Sequence, residues 1–252
     1  MLLALKLCLV PSFLLLISLA GRRWGPEVAG WLAGLPLLTG PILFLLALEM
    51  GTAFAASSAT VSLSAVLGAV VFIVVYARVC VHRPPVIALP AGLSAWCCTA
   101  LLLPRLPLNN GTALAIALAA LLIAPRLMPR LALTQFSAPL PRWELPLRML
   151  AGAVVTLTVT ALAAALGPAW TGMFAVFPVL DIVLAVFSHY ASGPAFTTIL
   201  LRSMLFGLYA FTSFCLAIAL LLPRLSVAGS FVAASAIALL VQGLLRLRLY
   251  RL

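Results

Sequence analysis

Acidic residues are scarce in this chain: Asp and Glu together number 4 among 252 residues, and all charged residues make up 8%. Soluble domains carry about a quarter charged residues. Because a soluble fold of this size keeps a large surface in contact with water, it could not hide the side chains of a chain that is 65% hydrophobic. The composition therefore excludes a soluble enzyme, a disordered regulator and a secreted disulfide-rich domain. It predicts an integral membrane protein.

Histidine and cysteine are too few and too scattered for the common metal and catalytic motifs. The sequence has two histidines, and its five cysteines lie within apolar runs or at their ends, without metal-finger spacing. Gly92-Leu93-Ser94-Ala95 faintly resembles the serine motif of rhomboid-type proteases, but such a serine needs a histidine base within hydrogen-bond reach. Both histidines are expected near the membrane surface. We therefore predict no catalytic residue, no cofactor and no metal, and a protein that is not an enzyme.

What the chain has in abundance is apolar runs. About 20 apolar residues cross the hydrocarbon core as a helix, and nine runs stand between glycine, proline and charged residues. The fifth run is the shortest, so a tilted or interfacial helix is an alternative there. The predicted fold is all-α, with about nine transmembrane helices. The runs cover residues 3–20, 27–48, 53–77, 86–103, 111–125, 147–165, 168–188, 195–221 and 226–245.

The basic residues predict the orientation. The net charge of +11 comes from arginines set in ones and twos between apolar runs, which is typical of the positive-inside rule and not of a nucleic-acid-binding patch. Nine crossings place them in two unequal groups, whereas eight would mix the groups. We predict a multi-pass protein of the bacterial inner membrane, with a periplasmic N-terminus, a cytoplasmic C-terminus and no nucleic-acid partner. The inner group is Arg22, Arg23, Arg78, Arg83, Arg126, Arg130, Arg142, Arg148, Arg246, Arg248 and Arg251, and the outer group is Lys6, Arg105 and Arg224.

The first apolar run has a second interpretation, as a cleaved signal peptide. Ser18-Leu19-Ala20 resembles a cleavage site. The positive region before the run is limited to Lys6, however, and Arg22 with Arg23 follows the run directly. This pattern favours a retained helix whose second end faces the cytoplasm.

An internal repeat emerges when the chain is shifted by 142 residues. Nine of the thirty positions from 25 to 54 are then identical, where a chain of this composition gives about three by chance. Five of the nine are glycine or proline, which fix backbone shape. The repeat predicts a first four-helix copy in residues 1–104, a linking helix and Pro-rich cytoplasmic loop in 105–143, and a second four-helix copy in 144–252. The identical pairs are Gly25/Gly167, Pro26/Pro168, Gly30/Gly172, Ala33/Ala175, Pro36/Pro178, Leu38/Leu180, Gly51/Gly193, Ala53/Ala195 and Phe54/Phe196.

The second copy is expected to enter the membrane upside down. Crossings one to four correspond to crossings six to nine, so an odd number of crossings separates equivalent helices. Inverted repeats around a mid-membrane site are the architecture of many secondary transporters. Pro36 and Pro178 each lie ten residues, about 15 Å, beyond the Gly-Pro pair that starts their helix. Each should bend or break its helix, either to improve packing or to expose backbone that lines a site.

Asp181 is the one acidic residue expected deep in the membrane. If its helix ends near Tyr190, Asp181 and Arg202 both lie about 12 to 14 Å from the same turn. Since an ion in hydrocarbon costs less with a partner, we predict an ion pair facing the bundle interior. In a transporter, Asp181 would be the proton or cation site and Arg202 its counter-charge or an anion-recognition group. A structural clamp, or an Arg202 that reaches the headgroups, is the alternative.

Three more polar residues complete the predicted transport site. Thr39 and Thr60 take, in the first copy, the places of the two charged residues of the second copy. Small hydroxyl residues can instead serve close helix packing. His189 is expected at the cytoplasmic interface, where it could handle protons or anchor the headgroup region. The full predicted set is Pro36, Thr39, Thr60, Pro178, Asp181, His189 and Arg202.

The second copy also carries a series of short motifs: Phe177-Pro178, His189-Tyr190, Gly193, Thr197-Thr198-Ile199 and Ser203-Met204. In these it resembles the GlpM-type family of small, roughly four-helix bacterial inner-membrane proteins, over about a hundred C-terminal residues. This chain differs from the family in its double length. The resemblance implies a loose association with glycerol metabolism and alginate production, without an established molecular activity.

Together these features favour a small-solute transporter or permease with a site between inverted repeats. Coupling to a proton or cation, and a homodimeric or membrane-complex partner besides the lipid bilayer, are open alternatives. A different class is a non-transporting accessory or assembly subunit of a membrane complex, such as one for polysaccharide production. An accessory subunit would co-purify with a larger partner and tolerate neutralisation of Asp181. An enzyme acting on lipid ranks third.

Overall fold

The computed structural model describes residues 2–106, 109–131, 144–166 and 177–249. Over these ranges the chain forms nine α-helices and one short 3-10 turn, Leu103–Arg105. Seven of these helices are long and apolar enough to cross a membrane, which confirms an all-α, multi-pass membrane protein. The helices are α1 Leu2–Trp24, α2 Pro26–Ala33, α3 Thr39–Glu49, α4 Thr52–Cys80, α5 Pro85–Leu102, α6 Asn110–Leu127, α7 Glu144–Leu166, α8 Val179–Leu221 and α9 Val227–Leu249.

The second predicted run, 27–48, differs from the observed helices: it is divided into α2 and α3, which lie on either side of Pro36. The short fifth run forms α6, an 18-residue helix that is long enough to cross the membrane. It begins with a capping box, in which Asn109 and Thr112 each bind the other's backbone N–H through the side chain. Residues 168–176 of the predicted run 168–188 and residues 132–143 of the Pro-rich loop lie outside the described residues.

Two helix bounds recur in the two halves at the spacing of the repeat. α5 begins at Pro85, and α9 begins at the shifted position, Val227. α4 ends at Cys80, and α8 ends at Leu221, one residue before the shifted position. The turns that connect these helices therefore lie at matching positions of the two halves.

Three glycines turn the chain sharply between helices. Gly25, Gly51 and Gly193 have φ values of 90°, 90° and 80°, and they are the positive-φ residues of the described chain. Only glycine adopts this region at little cost. All three occupy positions that match in the repeat, and Gly193 divides α8 into segments 179–192 and 194–221. Proline follows Gly25 and Gly193 at the first helical position, where its missing N–H is not needed.

Equivalent helices α1 and α7 pack side by side in opposite directions. Arg22 on α1 lies 3.7 Å from Glu144 at the start of α7. Ser18 accepts a hydrogen bond from Arg148 at 3.2 Å, and a Cβ on Gly152 would meet the side chain of Leu14. Residues that come earlier in α1 contact residues that come later in α7, so the two helices run antiparallel.

The centre of the bundle is formed by α4 and α8, which contact each other and carry most of the buried apolar side chains. α5 packs on α4, where Trp96 is 2% exposed and lies against Gly68. α9 packs on α8, and α6 contacts both central helices. α2 lies directly on the second segment of α8, with Gly34 against Gly207.

Several helix ends meet on one side of the bundle. These are the C-terminal ends of α1, α4 and α6, the N-terminal end of α7 and the turn at Gly193. Arg22, Arg78 and Arg148, which were predicted to share the inner face, therefore lie on one side of the bundle. The contacts are Arg22–Glu144, Arg148–Ser188, Tyr76–His189, Cys80–Thr198 and Arg78–Leu127.

Candidate functional site

Pro36 breaks its helix. α2 ends at Ala33 and α3 begins at Thr39. Proline has no N–H to give to the preceding turn, and the N–H of Leu37 bonds the Leu35 carbonyl at 2.8 Å rather than the Ala33 carbonyl four residues back. The helical hydrogen-bond ladder is therefore interrupted over residues 34–38. The helix is therefore broken at Pro36, and a site lined by the freed backbone stays a prediction.

The hydrogen bonds around Pro36 recur at Pro178. The Val179 N–H bonds the Phe177 carbonyl at 2.8 Å, as Leu37 bonds Leu35 in the first copy. The Ile182 N–H bonds the Pro178 carbonyl at 3.0 Å, and the equivalent Gly40–Pro36 bond in the first copy measures 2.8 Å. Two hydrogen bonds are thus repeated at a spacing of 142 residues. Matching backbone geometry accompanies the matching prolines.

Asp181 lies in the first turn of α8, three residues after Pro178. It is half-buried, next to the buried Leu180 and Ile182. Within the described part of the chain its carboxylate forms no ion pair and no hydrogen bond. Thr39, its equivalent, occupies the first position of α3 and is also half-buried. Both predicted residues therefore lie in the first turn of a helix, three residues after a proline of the repeat.

The predicted ion pair between Asp181 and Arg202 is not formed among the described residues. The reason is the position of the turn. The first segment of α8 continues past Tyr190 to residue 192, and the chain turns at Gly193. Asp181 is then twelve residues, about 18 Å, before the turn, while Arg202 is nine residues, about 14 Å, after it. The two charges do not lie level with each other.

Thr60, the first-copy equivalent of Arg202, has a packing contact. Its hydroxyl donates a hydrogen bond to Oδ1 of Asn110 at 2.6 Å. Asn110 is the first residue of α6, so this bond ties α4 to α6. Thr60 was predicted to serve either the transport site or helix packing, and the structure shows its hydroxyl in a contact between helices.

His189 is buried inside the bundle, with 7% of its surface exposed. Its Nδ1 lies 3.3 Å from the hydroxyl of Tyr76 on α4, and Cys80, one turn further along α4, lies 3.7 Å from the hydroxyl of Thr198. Tyr190 beside it is 65% exposed. The expected headgroup anchor is therefore Tyr190 alone, while His189 faces a polar contact between α4 and α8.

A second polar cluster, centred on Glu144 and Arg148, was not predicted. Both side chains are buried, at 3% and 4% exposure. Arg148 donates from Nε to Glu144 at 2.8 Å, from one terminal nitrogen to Ser18 at 3.2 Å and from the other to Ser188 at 3.4 Å. Arg22, whose side chain is partly exposed, approaches the second Glu144 oxygen at 3.7 Å. We call these five residues the α1–α7–α8 ionic cluster.

The cluster carries two guanidinium groups and one carboxylate. A buried ion pair is stable only with good geometry and additional hydrogen bonds, which Ser18 and Ser188 supply from α1 and α8. Arg148 also lies over the ring of Phe187, 5.8 Å from its centre, where a cation is attracted to the aromatic face. The positive-inside rule had assigned Arg22 and Arg148 to the surface. The Glu-to-Arg spacing of four residues was the sequence signal that could have revealed the pair.

Both copies contribute to a connected polar region. Ser188, bonded to Arg148, directly precedes His189, bonded to Tyr76. α1 and α4 come from the first copy, and α7 and α8 from the second. The polar groups buried between the copies thus gather near the turn at Gly193.

Comparison with known proteins adds no relative: no family model matches the chain, and no curated protein or solved structure is significantly similar to it.

Proposed function

We propose that this membrane protein is a small-solute transporter or permease, built from two inverted copies with a site between Pro36 and Pro178. The observation that carries the proposal is the repeated backbone geometry at these prolines, with the same two hydrogen bonds in each copy. Irregular backbone at membrane depth is tolerated only where it is buried in protein or lines a cavity. Paired broken helices at equivalent positions are the binding elements of many secondary transporters.

The antiparallel packing of α1 and α7 supports the inverted relation. Equivalent helices that cross the membrane in opposite senses must run antiparallel, as the contacts from Arg22, Ser18 and Leu14 to α7 require. The proposed orientation in the bacterial inner membrane, with the Arg22 end of α1 in the cytoplasm, rests on the distribution of the arginines. Membership of the GlpM-type family, which the sequence motifs of the second copy suggest, is also part of this proposal.

Asp181 is the coupling residue of the proposal. An ionised carboxylate without a partner is costly in an apolar environment, so it is stable there when it holds a proton or cation, or faces water. Asp181 lies three residues after Pro178, so a movement of this segment would expose both the backbone and the carboxylate. Arg202, in the next segment, is then free to serve the solute rather than Asp181.

Neutralising Asp181 tests the proposal. Uptake of a labelled panel of polyols, organic acids and phosphate esters is measured in proteoliposomes, with a pH-sensitive dye inside the vesicles. Asp181→Asn should lower proton-linked flux at least tenfold, because the amide cannot take up and release a proton. Glu49→Gln, at an exposed position, makes the same chemical change and should leave the flux unchanged.

The rival class gives opposite results. An accessory subunit shows no flux of any solute, is unaffected by Asp181→Asn, and co-purifies with a larger membrane partner. That combination would contradict transport.

A further inference from the structure

A groove of about 370 Å³ lies at the ends of α4 and α6, separate from the site between the copies. Its polar lining consists of Arg78 from α4, His82 from the turn after α4 and Arg126 from α6, all exposed. Its apolar lining comes from Val81, Leu127, Met128 and Pro129. The groove thus combines cationic side chains with an apolar wall.

The two guanidinium groups are held in place by backbone carbonyls. Arg78 donates from Nε to the Leu127 carbonyl at 2.7 Å, and Arg126 donates from one terminal nitrogen to the Leu122 carbonyl at 3.1 Å. A guanidinium has five N–H donors, so each side chain keeps further donors for a ligand. The bonded carbonyls belong to the last turns of α6, and these contacts offset the negative end of that helix.

Among the residues that the structure describes, no carboxylate lines the groove. The whole chain has four acidic residues. Glu144 is taken up by the ionic cluster, and no described carboxylate forms an ion pair with Arg78 or Arg126. Forked donors on arginine match the oxygens of a phosphate group.

We propose that this groove binds a phosphate ester, with the phosphate on Arg78 and Arg126 and the ester carbons on the apolar wall. Both helices end here after spans of 29 and 18 residues, which places the groove at headgroup depth. The phosphate can therefore come from an anionic lipid headgroup or from a soluble ester.

The test uses the full chain in detergent micelles, with dihexanoyl phosphatidylglycerol and glycerol 3-phosphate as probes and dihexanoyl glycerol as the phosphate-free control. The variant Arg78→Gln/Arg126→Gln should weaken phosphatidylglycerol binding at least tenfold. The matched variant Arg105→Gln/Arg224→Gln, at exposed arginines outside the groove, should bind within twofold of the parent. At least one of the two phosphate probes should bind more tightly than dihexanoyl glycerol.

The outcomes separate the two sources. Binding of phosphatidylglycerol alone supports a lipid headgroup, and equal binding of glycerol 3-phosphate supports a soluble ester. Unchanged binding in Arg78→Gln/Arg126→Gln, or equal binding of dihexanoyl glycerol, overturns the proposal. If the double variant does not fold, Arg126→Gln decides, because its observed bond lies within its own helix: a loss of at least threefold supports the proposal and no loss overturns it.

Discussion

Glu144→Gln should lower the free energy of unfolding by about 3 to 5 kcal/mol, because it leaves buried guanidinium charge without a partner. Glu144 and Arg148 are almost fully buried, and Arg22 approaches the same carboxylate. An amide keeps the size of the side chain and removes its charge. Unfolding is followed in mixed micelles, with Glu49→Gln at an exposed position as the control, for which less than about 0.5 kcal/mol is expected.

A double-mutant cycle separates the pair from its parts. In Glu144→Gln/Arg148→Met the carboxylate and its main cationic partner are both removed, so the double variant should be more stable than Glu144→Gln alone. If the two changes instead add with no coupling, the buried pair at this position is not what stabilises the junction of α1, α7 and α8.

Gly34→Ala should cost about 3 kcal/mol, at the upper end of the usual penalty for overpacking. The added Cβ would lie 2.6 Å from the Gly207 Cα and 2.6 Å from the Met204 carbonyl oxygen. These are backbone atoms, so no side chain can rotate away, and α2 would have to move off α8. Because α2 leads into the break at Pro36, flux should fall together with stability.

The matched control is Gly243→Ala on α9, where an added Cβ meets nothing within 4 Å. There alanine should leave stability unchanged or raise it by up to about 1 kcal/mol, since glycine is the weaker helix former. Equal stabilities of the two variants would show that α2 and α8 are not packed backbone to backbone.

Composition and proline placement were sufficient to predict the helical membrane fold and the positions of its interruptions. The apolar runs became helices because the backbone in lipid must satisfy its own hydrogen bonds. Pro36 lies in a broken helix, where it has no N–H for the preceding turn, whereas Pro11, Pro90 and Pro125 lie within continuous helices. The repeat could be found because many of its identical positions are glycines and prolines. Gly51 and Gly193 have the same backbone role, a positive φ, in both copies.

Side-chain partners were harder to predict, because they depend on where helices turn and which faces meet. The distance between Asp181 and Arg202 was set by a turn at Gly193, three residues beyond Tyr190. Arg148 follows the pattern of a loop arginine in sequence, yet α1 and α8 cover it. Helix packing of this kind leaves no periodic signal in a uniformly apolar sequence.

The most direct test of the two-copy architecture is the side of the membrane on which equivalent turns lie. Single cysteines are placed at Met50→Cys and Tyr190→Cys, both exposed beside Gly51 and Gly193, in a chain whose native cysteines are replaced by alanine. A membrane-impermeant maleimide is then applied to intact and to permeabilised cells. The inverted arrangement predicts that Met50→Cys is labelled in intact cells and Tyr190→Cys only after permeabilisation. Labelling of both cysteines under the same condition would contradict it.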